Sequence, residues 1–286
     1  MLMFYIDSQA IEIILWVLGS LVALDLIIML ILFIMLLPGR KHKNLMKFDW
    51  LFEKPIAHRG YHQGNKEVPE NSRISFIKAI EKGYNIEIDL NVTKDDKVVV
   101  FHDGEATRMC GVDRNLVDMT LEEIKQLRLQ GGEEQVMELQ EFLDLVNDQV
   151  GLLIEFKGSY NGKLERAAYP ILKQYNGRYV MQAFQPESLR WFKKNAPEVP
   201  RGQLCFNYMP NKKIPWLRRF LFTNLFSNFI GRPHFISYNY PGRKFYTVRV
   251  LRSMGAKLLV WTIRNEQDYN AVKDECDNVI FENLDL

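Results

Sequence analysis

From Pro55 onward the chain alternates short β-rich runs with amphipathic helical stretches, and this alternation limits the fold more than any other feature. The runs lie at residues 56–60, 85–90, 98–102, 152–157, 179–184, 203–207, 235–240 and 258–263, which makes eight. Most are separated by stretches of helical periodicity, such as 72–82, 121–127, 139–146 and 245–254. Such alternation predicts parallel βα units, and about 240 residues is an ordinary size for eight of them closed into one α/β (β/α)8 TIM barrel. Residues 103–150 are too many for one βα connection, so a small insertion is expected after the third strand, beside the strand ends.

Polar residues mark the ends of these runs. His58-Arg59-Gly60, Pro69-Glu70-Asn71-Ser72, Glu87-Ile88-Asp89, His102-Asp103 and Glu155-Phe156-Lys157 follow one another in that order. Side chains alternate across a strand, so Glu87 and Asp89 share one face while Ile86, Ile88 and Leu90 take the other; Glu155 and Lys157 likewise oppose Ile154 and Phe156. Apolar faces meet the helix layer, which turns the acids into the barrel near the C-terminal strand ends, where sites of this fold are built. Carboxylates buried together are costly unless offset, and a metal ion with a phosphate would offset several at once. His58 and His102 end strands at the same mouth, and histidine can take or give a proton near neutral pH. Alone, His-Arg-Gly is an ordinary turn and Glu-x-Asp the solvated face of an edge strand; the ordered set points to an enzyme. Of the five histidines, His42 belongs to a basic collar, His62 to a solvent-facing loop, and His234 has no motif around it.

The set resembles the glycerophosphodiester phosphodiesterase family, which carries HRG, PEN, E-x-D, HD and E-x-K segments in this order. The resemblance runs from about Pro55 to the C-terminus and continues through Asp118-Met119-Thr120-Leu121, Gln182-Ala183-Phe184 and Trp261-Thr262-Ile263. It implies hydrolysis of a glycerophosphodiester to glycerol 3-phosphate and an alcohol, using one divalent cation, Ca2+ or Mg2+. Position by position, it implies Glu87, Asp89 and Glu155 as metal ligands and His58 and His102 as the catalytic pair. Arg59 and Lys157 would neutralise the phosphodiester, and Gln182 and Trp261 are either substrate contacts or core. Glu70 is either a further ligand or fixes the loop after the first strand by capping the helix that begins near Ser72. Which histidine is acid and which base stays open, as does the nucleophile, water or the substrate's own 2-hydroxyl. The chain departs from the family near its end, where relatives commonly read D-G-I-x-T-D and Asp277-Asn278-Val279-Ile280-Phe281-Glu282 stands here. The last acid is longer by a methylene, which bears on the closing loop and substrate fit and leaves the metal and histidine positions intact.

Ahead of the barrel domain at 55–286, residues 13–37 are almost wholly apolar and long enough to cross a hydrocarbon core of roughly 30 Å. Residues 1–11 contain Asp7 and no Lys or Arg, unlike the start of a cleavable signal, so the segment 1–37 reads as a retained single-pass transmembrane anchor. Arg40, Lys41, Lys43 and Lys47 follow, making 38–54 a basic juxtamembrane linker and placing the catalytic domain on the cytoplasmic side of the cell membrane. Asp25 near mid-span costs about 2.5 to 3.5 kcal/mol on insertion scales; either the helix self-associates around it or the surrounding Leu, Ile and Met residues outweigh it. A net charge of +2 gives no reason to expect nucleic acid. Cys110, Cys205 and Cys276 have neither paired nor metal-ligand spacing and fit a reducing compartment.

Residues 209–233 interleave Lys212, Lys213, Arg218, Arg219 and Arg232 with Trp216, Leu217, Phe220, Phe222 and Phe226. They form either a helix in the membrane headgroup layer or one packed on the barrel. The first reading would add membrane-derived lipids to the glycerophosphodiester substrates, and a lysophospholipid would be cut in a lysophospholipase D reaction. A reading from another class is a membrane-anchored glycerophosphodiester-binding protein without turnover. The anchor enters on the side of the barrel opposite the mouth, although residues 38–54, if extended at roughly 3.3 Å each, would reach about 50 Å and pass round it.

Overall fold

The computed structural model describes residues 8–65, 67–158 and 161–286. Helix α1 (Ser8–Leu36) precedes the barrel. The barrel's outer layer and its insertions carry α2 (Arg73–Glu81), α3 (Thr107–Cys110), α4 (Leu121–Lys125), α5 (Leu139–Val146), α6 (Lys163–Leu172) and α7 (Pro186–Asn195). They continue with α8 (Trp216–Thr223), α9 (Asn228–Gly231), α10 (Tyr246–Ser253) and α11 (Glu266–Val272). The strands are β1 (Ile56–His58), β2 (Asn85–Val92), β3 (Val98–Val100), β4 (Met137–Glu138) and β5 (Leu152–Phe156). After them come β6 (Tyr179–Ala183), β7 (Arg201–Cys205), β8 (Phe235–Asn239), β9 (Lys257–Ile263) and β10 (Asn278–Phe281).

Eight of these strands are parallel and close on themselves, running from β1 through β2 and β5 to β10, which pairs back onto β1. The barrel is the TIM-like one expected, but one assigned strand leaves it and an unassigned one takes its place. Residues 98–102, read as the third barrel strand, supply only β3, which pairs antiparallel with the overhanging end of β2 (Leu90↔Val100, Val92↔Val98). Five residues separate Val92 from Val98, far fewer than the dozen or so that a parallel crossover needs. The eighth place belongs to β10, a four-residue strand absent from the sequence reading. The insertion therefore leaves the barrel after the second of its strands. It carries β3, α3, α4 and β4 around a small core that includes Phe101, Met109, Leu116 and Ile124.

Inward-facing Ile56, Leu153, Val180, Phe235, Leu259 and Ile280 fill the lower barrel, and Phe48, Trp50 and Leu51 close it from below. Two glycines make this packing possible. A Cβ on Gly202 would lie 2.1 Å from the Phe235 ring, and one on Gly151 would lie 2.2 Å from Trp50.

The linker at 38–54 is packed rather than extended. Gly39 N donates to Pro233 O (2.7 Å) and Met46 N to Glu198 O (2.8 Å), while Asn278 Nδ2 donates to the carbonyls of Leu51 (2.7 Å) and Lys54 (2.6 Å). Each partner lies at or just before the N-terminal end of a barrel strand, so this segment forms the barrel's floor. It follows that α1 meets the domain at the end opposite the mouth, and the route round the barrel is not taken.

Helix α1 has 29 residues and is long and apolar enough by composition to cross a membrane. Its residues are exposed apart from its C-terminal turn, and Asp25 lies exposed at mid-helix. A helix leaves its last carbonyls unbonded. Here Arg232 Nη1 donates to Ile34 O (2.8 Å) and Leu37 O (2.9 Å), and Asn228 Nδ2 donates to Leu36 O (3.2 Å). The 209–233 segment thus holds the end of α1. It contains two helices, α8 and α9; Leu225 and Phe226 are buried on the barrel, while Trp216, Leu217 and Phe229 face outward.

Candidate active site

The mouth is built from the top layer of inward-facing residues. Ile56 points into the barrel, so His58, two residues on, does too, and the same parity holds for Leu153 with Glu155 and Val180 with Gln182. In the register of β2 with β5, Asp89 stands directly across from Glu155. Glu87, Asp89 and Glu155 are fully buried and offer carboxylate oxygens that all lie within 4.8 Å of one another. His58, Arg59, His102, Lys157, Gln182, Phe184, Trp261 and Arg264 line one cavity of about 120 Å³ with Glu87 and Glu155, and Asp89 is joined to it through Lys157.

The charge balance of the triad is unequal. Burial, reinforced by Asp89 and Glu155, pushes the Glu87 carboxyl well above its ordinary range. Burial also raises Glu155, whereas Asp89 is held low despite burial by Lys157 and Arg59. Lys157 Nζ sits 2.5 Å from Glu155 Oε1 and 3.0 Å from Asp89 Oδ1. Glu87 Oε1 is buried with no hydrogen-bond partner. A buried, unpartnered carboxylate oxygen facing two more carboxylates is what a hard divalent cation such as Ca2+ or Mg2+ would satisfy, so the donor set fits one.

The HRG turn is shaped by backbone. Arg59 adopts φ 58° and Gly60 φ 81°. A Cβ on Gly60 would lie 2.3 Å from Ser75 Oγ, so only glycine lets the turn lie on α2. Arg59 N then donates to Glu87 Oε2 (3.1 Å), and its guanidinium reaches Glu70 Oε1 (2.7 Å) and Asp89 Oδ2 (3.2 Å).

Glu70 fixes the loop after the first strand, but not by capping α2. Its carboxylate accepts from Arg59, Arg108 Nη2 (2.6 Å) and Asn65 Nδ2 (2.8 Å), which ties that loop to two arginines. Ser72 itself caps α2, its side chain accepting from Ser75 N. The neighbouring Asn71, which the motif contained but no role had been given, donates to Asp89 Oδ2 (3.0 Å) and so orients a triad carboxylate.

His58 Nδ1 donates to Glu282 Oε2 at 2.6 Å, and Arg264 Nε also donates to Glu282. Because β10 pairs with β1, Ala57 stands across from Phe281, and the next residues, His58 at the end of β1 and Glu282 just past β10, meet at the top of the seam. Sequence reasoning treated Glu282 only as a departure in a closing loop. Burial lowers His58 to about 4, against the opposing pull of Glu282. His62, read as part of a solvent-facing loop, is buried, with Nε2 4.0 Å from the same Glu282 oxygen.

His102 lies in the loop after β3 and not at the end of a barrel strand. Asn91 Nδ2 pins that loop by donating to Phe101 O (2.9 Å) and Asp103 O (3.1 Å), bringing His102 over the cavity. His102 Nδ1 bonds Asp103 Oδ1 (2.5 Å), Asp103 accepts from Arg108 Nε (2.6 Å), and Arg108 bonds Glu70. One chain of ion pairs therefore ties the insertion to the HRG turn. Gln182 is buried with its Oε1 unpartnered, and Trp261 lies half-buried against Phe184, its Nε1 donating to Ser237 O (3.1 Å).

Comparison with known proteins agrees with this geometry. Residues 58–286 match the glycerophosphoryl diester phosphodiesterase family. A glycerophosphodiester phosphodiesterase of Caldanaerobacter subterraneus is 31% identical over 244 residues, 79% of this chain and 92% of that protein. The crystal structure of a glycerophosphodiester phosphodiesterase from Thermotoga maritima is similar at 28% identity with a TM-score of 0.62, covering 80% of this chain and 94% of that one. A phosphodiesterase from Oleispira antarctica, solved with the product sn-glycerol-3-phosphate, shares the fold at 24% identity with a TM-score of 0.67, covering 82% and 95%.

Proposed function

This chain belongs to the glycerophosphoryl diester phosphodiesterase family and is a phosphodiesterase of glycerophosphodiesters, and we propose that His58 and His102 move the protons of its reaction. What carries the proposal is the convergence of both histidines with Glu87, Glu155 and Lys157 on one cavity, with Asp89 paired to Lys157. A divalent cation held by Glu87, Asp89 and Glu155, Ca2+ or Mg2+, would supply polarisation of a phosphoryl oxygen.

The remaining work falls to side chains. With Nδ1–H committed to Glu282, His58 presents Nε2 to the cavity, and its depressed pKa of about 4 leaves it neutral and able to accept a proton. It serves as base toward the attacking oxygen, water or the substrate's 2-hydroxyl. As that oxygen bonds to phosphorus, the bond from phosphorus to the alcohol oxygen breaks. His102, oriented by Asp103, delivers a proton to the leaving oxygen. Lys157, paired with Asp89 and Glu155 in the cavity wall, neutralises the charge of the phosphodiester, while Arg59 is held by Glu70 and Asp89 to fix the turn that carries His58. Gln182 and Trp261 bound the space for the glycerol moiety.

Helix α1 serves as a cell-membrane anchor, and the cations from Arg40 to Lys47 at its end put the barrel in the cytoplasm. With the floor toward the membrane and the mouth away from it, water-soluble glycerophosphodiesters are the fitting substrates. Exposed Trp216 and Leu217 favour the second reading, a lysophospholipase D acting on lysolipids. The test is to supply the purified full chain with Ca2+ or Mg2+ and measure glycerol 3-phosphate and free choline from glycerophosphocholine and lysophosphatidylcholine, with His58→Ala as control. Metal-dependent glycerol 3-phosphate lost in the variant is expected. Choline from the lysolipid alone would favour the second reading. Bound metal with no turnover of either would replace both with a binding protein.

A further inference from the structure

The floor of the domain contains a second cavity, of about 530 Å³, between the end of α1 and helices α7, α9 and α10. Its polar wall is Arg40, Lys193 and Arg232, and its apolar wall includes Leu37, Pro38 and Met254. Among the described residues no carboxylate lies within ion-pair distance of these three cations. Lys193 is held below its ordinary pKa by burial and then by Arg232, Arg201, Arg190 and Lys194, every one a cation. Behind it, buried Arg201 donates to the carbonyls of Gly231, Pro197 and Val199, with the charge of Glu198 acting on it. The cavity thus gathers three cations that pair with no carboxylate, and like charges so gathered favour an anion.

Its position identifies the anion's source. The cavity begins at Leu37, one residue beyond the end of a 29-residue apolar helix, and Arg232 itself bonds the helix's last carbonyls. At that level a bilayer presents lipid phosphates, with acyl chains beginning beside the apolar wall. We propose that this cavity binds the phosphate-bearing headgroup of an anionic phospholipid, with Arg40, Lys193 and Arg232 around the phosphate. The proposal rests on α1 being a membrane span. It is independent of the catalytic reading, because none of these residues touches the active site.

The test is to reconstitute the full chain into vesicles of phosphatidylcholine with a minority of phosphatidylglycerol and count the lipids retained by native mass spectrometry. Arg40→Ala with Lys193→Ala removes two cations that make no ion pair, and Lys43→Ala with Lys47→Ala removes equal charge outside the cavity. Phosphatidylglycerol should be retained over phosphatidylcholine, and the cavity variant should weaken that retention roughly 30-fold, about 2 kcal/mol, while the control variant changes it little. Equal losses in both variants would mean diffuse surface attraction and overturn the site. Displacement of the lipid by millimolar inorganic phosphate would mark a free-anion site and overturn the lipid assignment. A chain that does not enter vesicles of phosphatidylcholine alone would defeat the membrane-span reading itself, whereas one that enters and shows no lipid preference would defeat only the site.

Discussion

Glu282 Oε2 accepts the Nδ1 proton of His58 at 2.6 Å across the seam where β10 closes on β1. The longer acid spans that seam, and the bond fixes the tautomer that leaves Nε2 facing the cavity. Glu282→Gln should lower kcat about 10–100-fold with little change in KM, the range typical for outer partners that orient a functional histidine. The pH profile gives the sharper reading. Glu282 raises the His58 pKa against burial, so removing its charge should move the acidic limb of kcat/KM to lower pH. A limb that stays in place or moves upward would show that His58 is not the group it reports.

Metal binding should be coupled to proton release. Glu87 is held above its ordinary range by burial and by its two carboxylate neighbours, so a cation must displace whatever proton it carries. Calorimetry in two buffers of different ionisation enthalpy should show protons released on binding Ca2+ or Mg2+, and Glu87→Gln should abolish both binding and release. A cation at about 100 times its dissociation constant should also stabilise the fold by about 2.7 kcal/mol. Tight binding by Glu87→Gln would move the metal elsewhere.

Gly202→Ala tests the packing of the barrel interior. The added methyl would meet the Phe235 ring at 2.1 Å, in a layer already filled from six strands. Overpacking should cost about 1–3 kcal/mol, read as a lower urea midpoint, and activity should survive in the fraction that folds. An unchanged midpoint would mean that Phe235 has room to turn away.

The bridge from Glu70 to Arg108 should make the fold acid-sensitive. Burial opposes ionisation of Glu70, yet hydrogen bonds from Arg108 and the charge of Arg59 bring it to about 2, below its ordinary 4.5. A folded value below the unfolded one stabilises fully above about pH 4.5 and is lost as the pH falls toward 2. Arg108→Met should therefore cost about 1 kcal/mol at pH 7, allowing for the solvent around Arg108, and less at pH 3. Unfolding of the full chain in detergent at the two pH values measures this; an equal loss at both would detach the effect from Glu70 ionisation.

The triad was legible because side-chain parity in a strand has a period of two, and β2 and β5 keep it from Leu153 to Glu155 without a bulge. Direction was harder to read. Val98–Val100 offers the same three apolar residues to a parallel or an antiparallel neighbour, and only the five-residue link before it carried the answer. β10 escaped because four residues ending at Phe281, just before Glu282, give too short an alternation to stand out. Its loss from the reading hid the partner of His58 as well. His62 and Asn91 lie on irregular or overhanging backbone, where periodicity does not say which way a side chain points. Their roles come from the loops that fold back over the mouth.

Trp50 enters the barrel through the notch that Gly151 leaves open, so the stretch following the apolar helix is part of the domain's interior. Trimming the chain back to Pro55 would therefore unplug the barrel: Ile56, Leu153, Val180 and Phe235 would lose the Phe48, Trp50 and Leu51 side chains that close them from below. The shortest chain that keeps this interior dry thus begins well ahead of the first strand, and a barrel started at Ile56 would open its apolar lower layer to water.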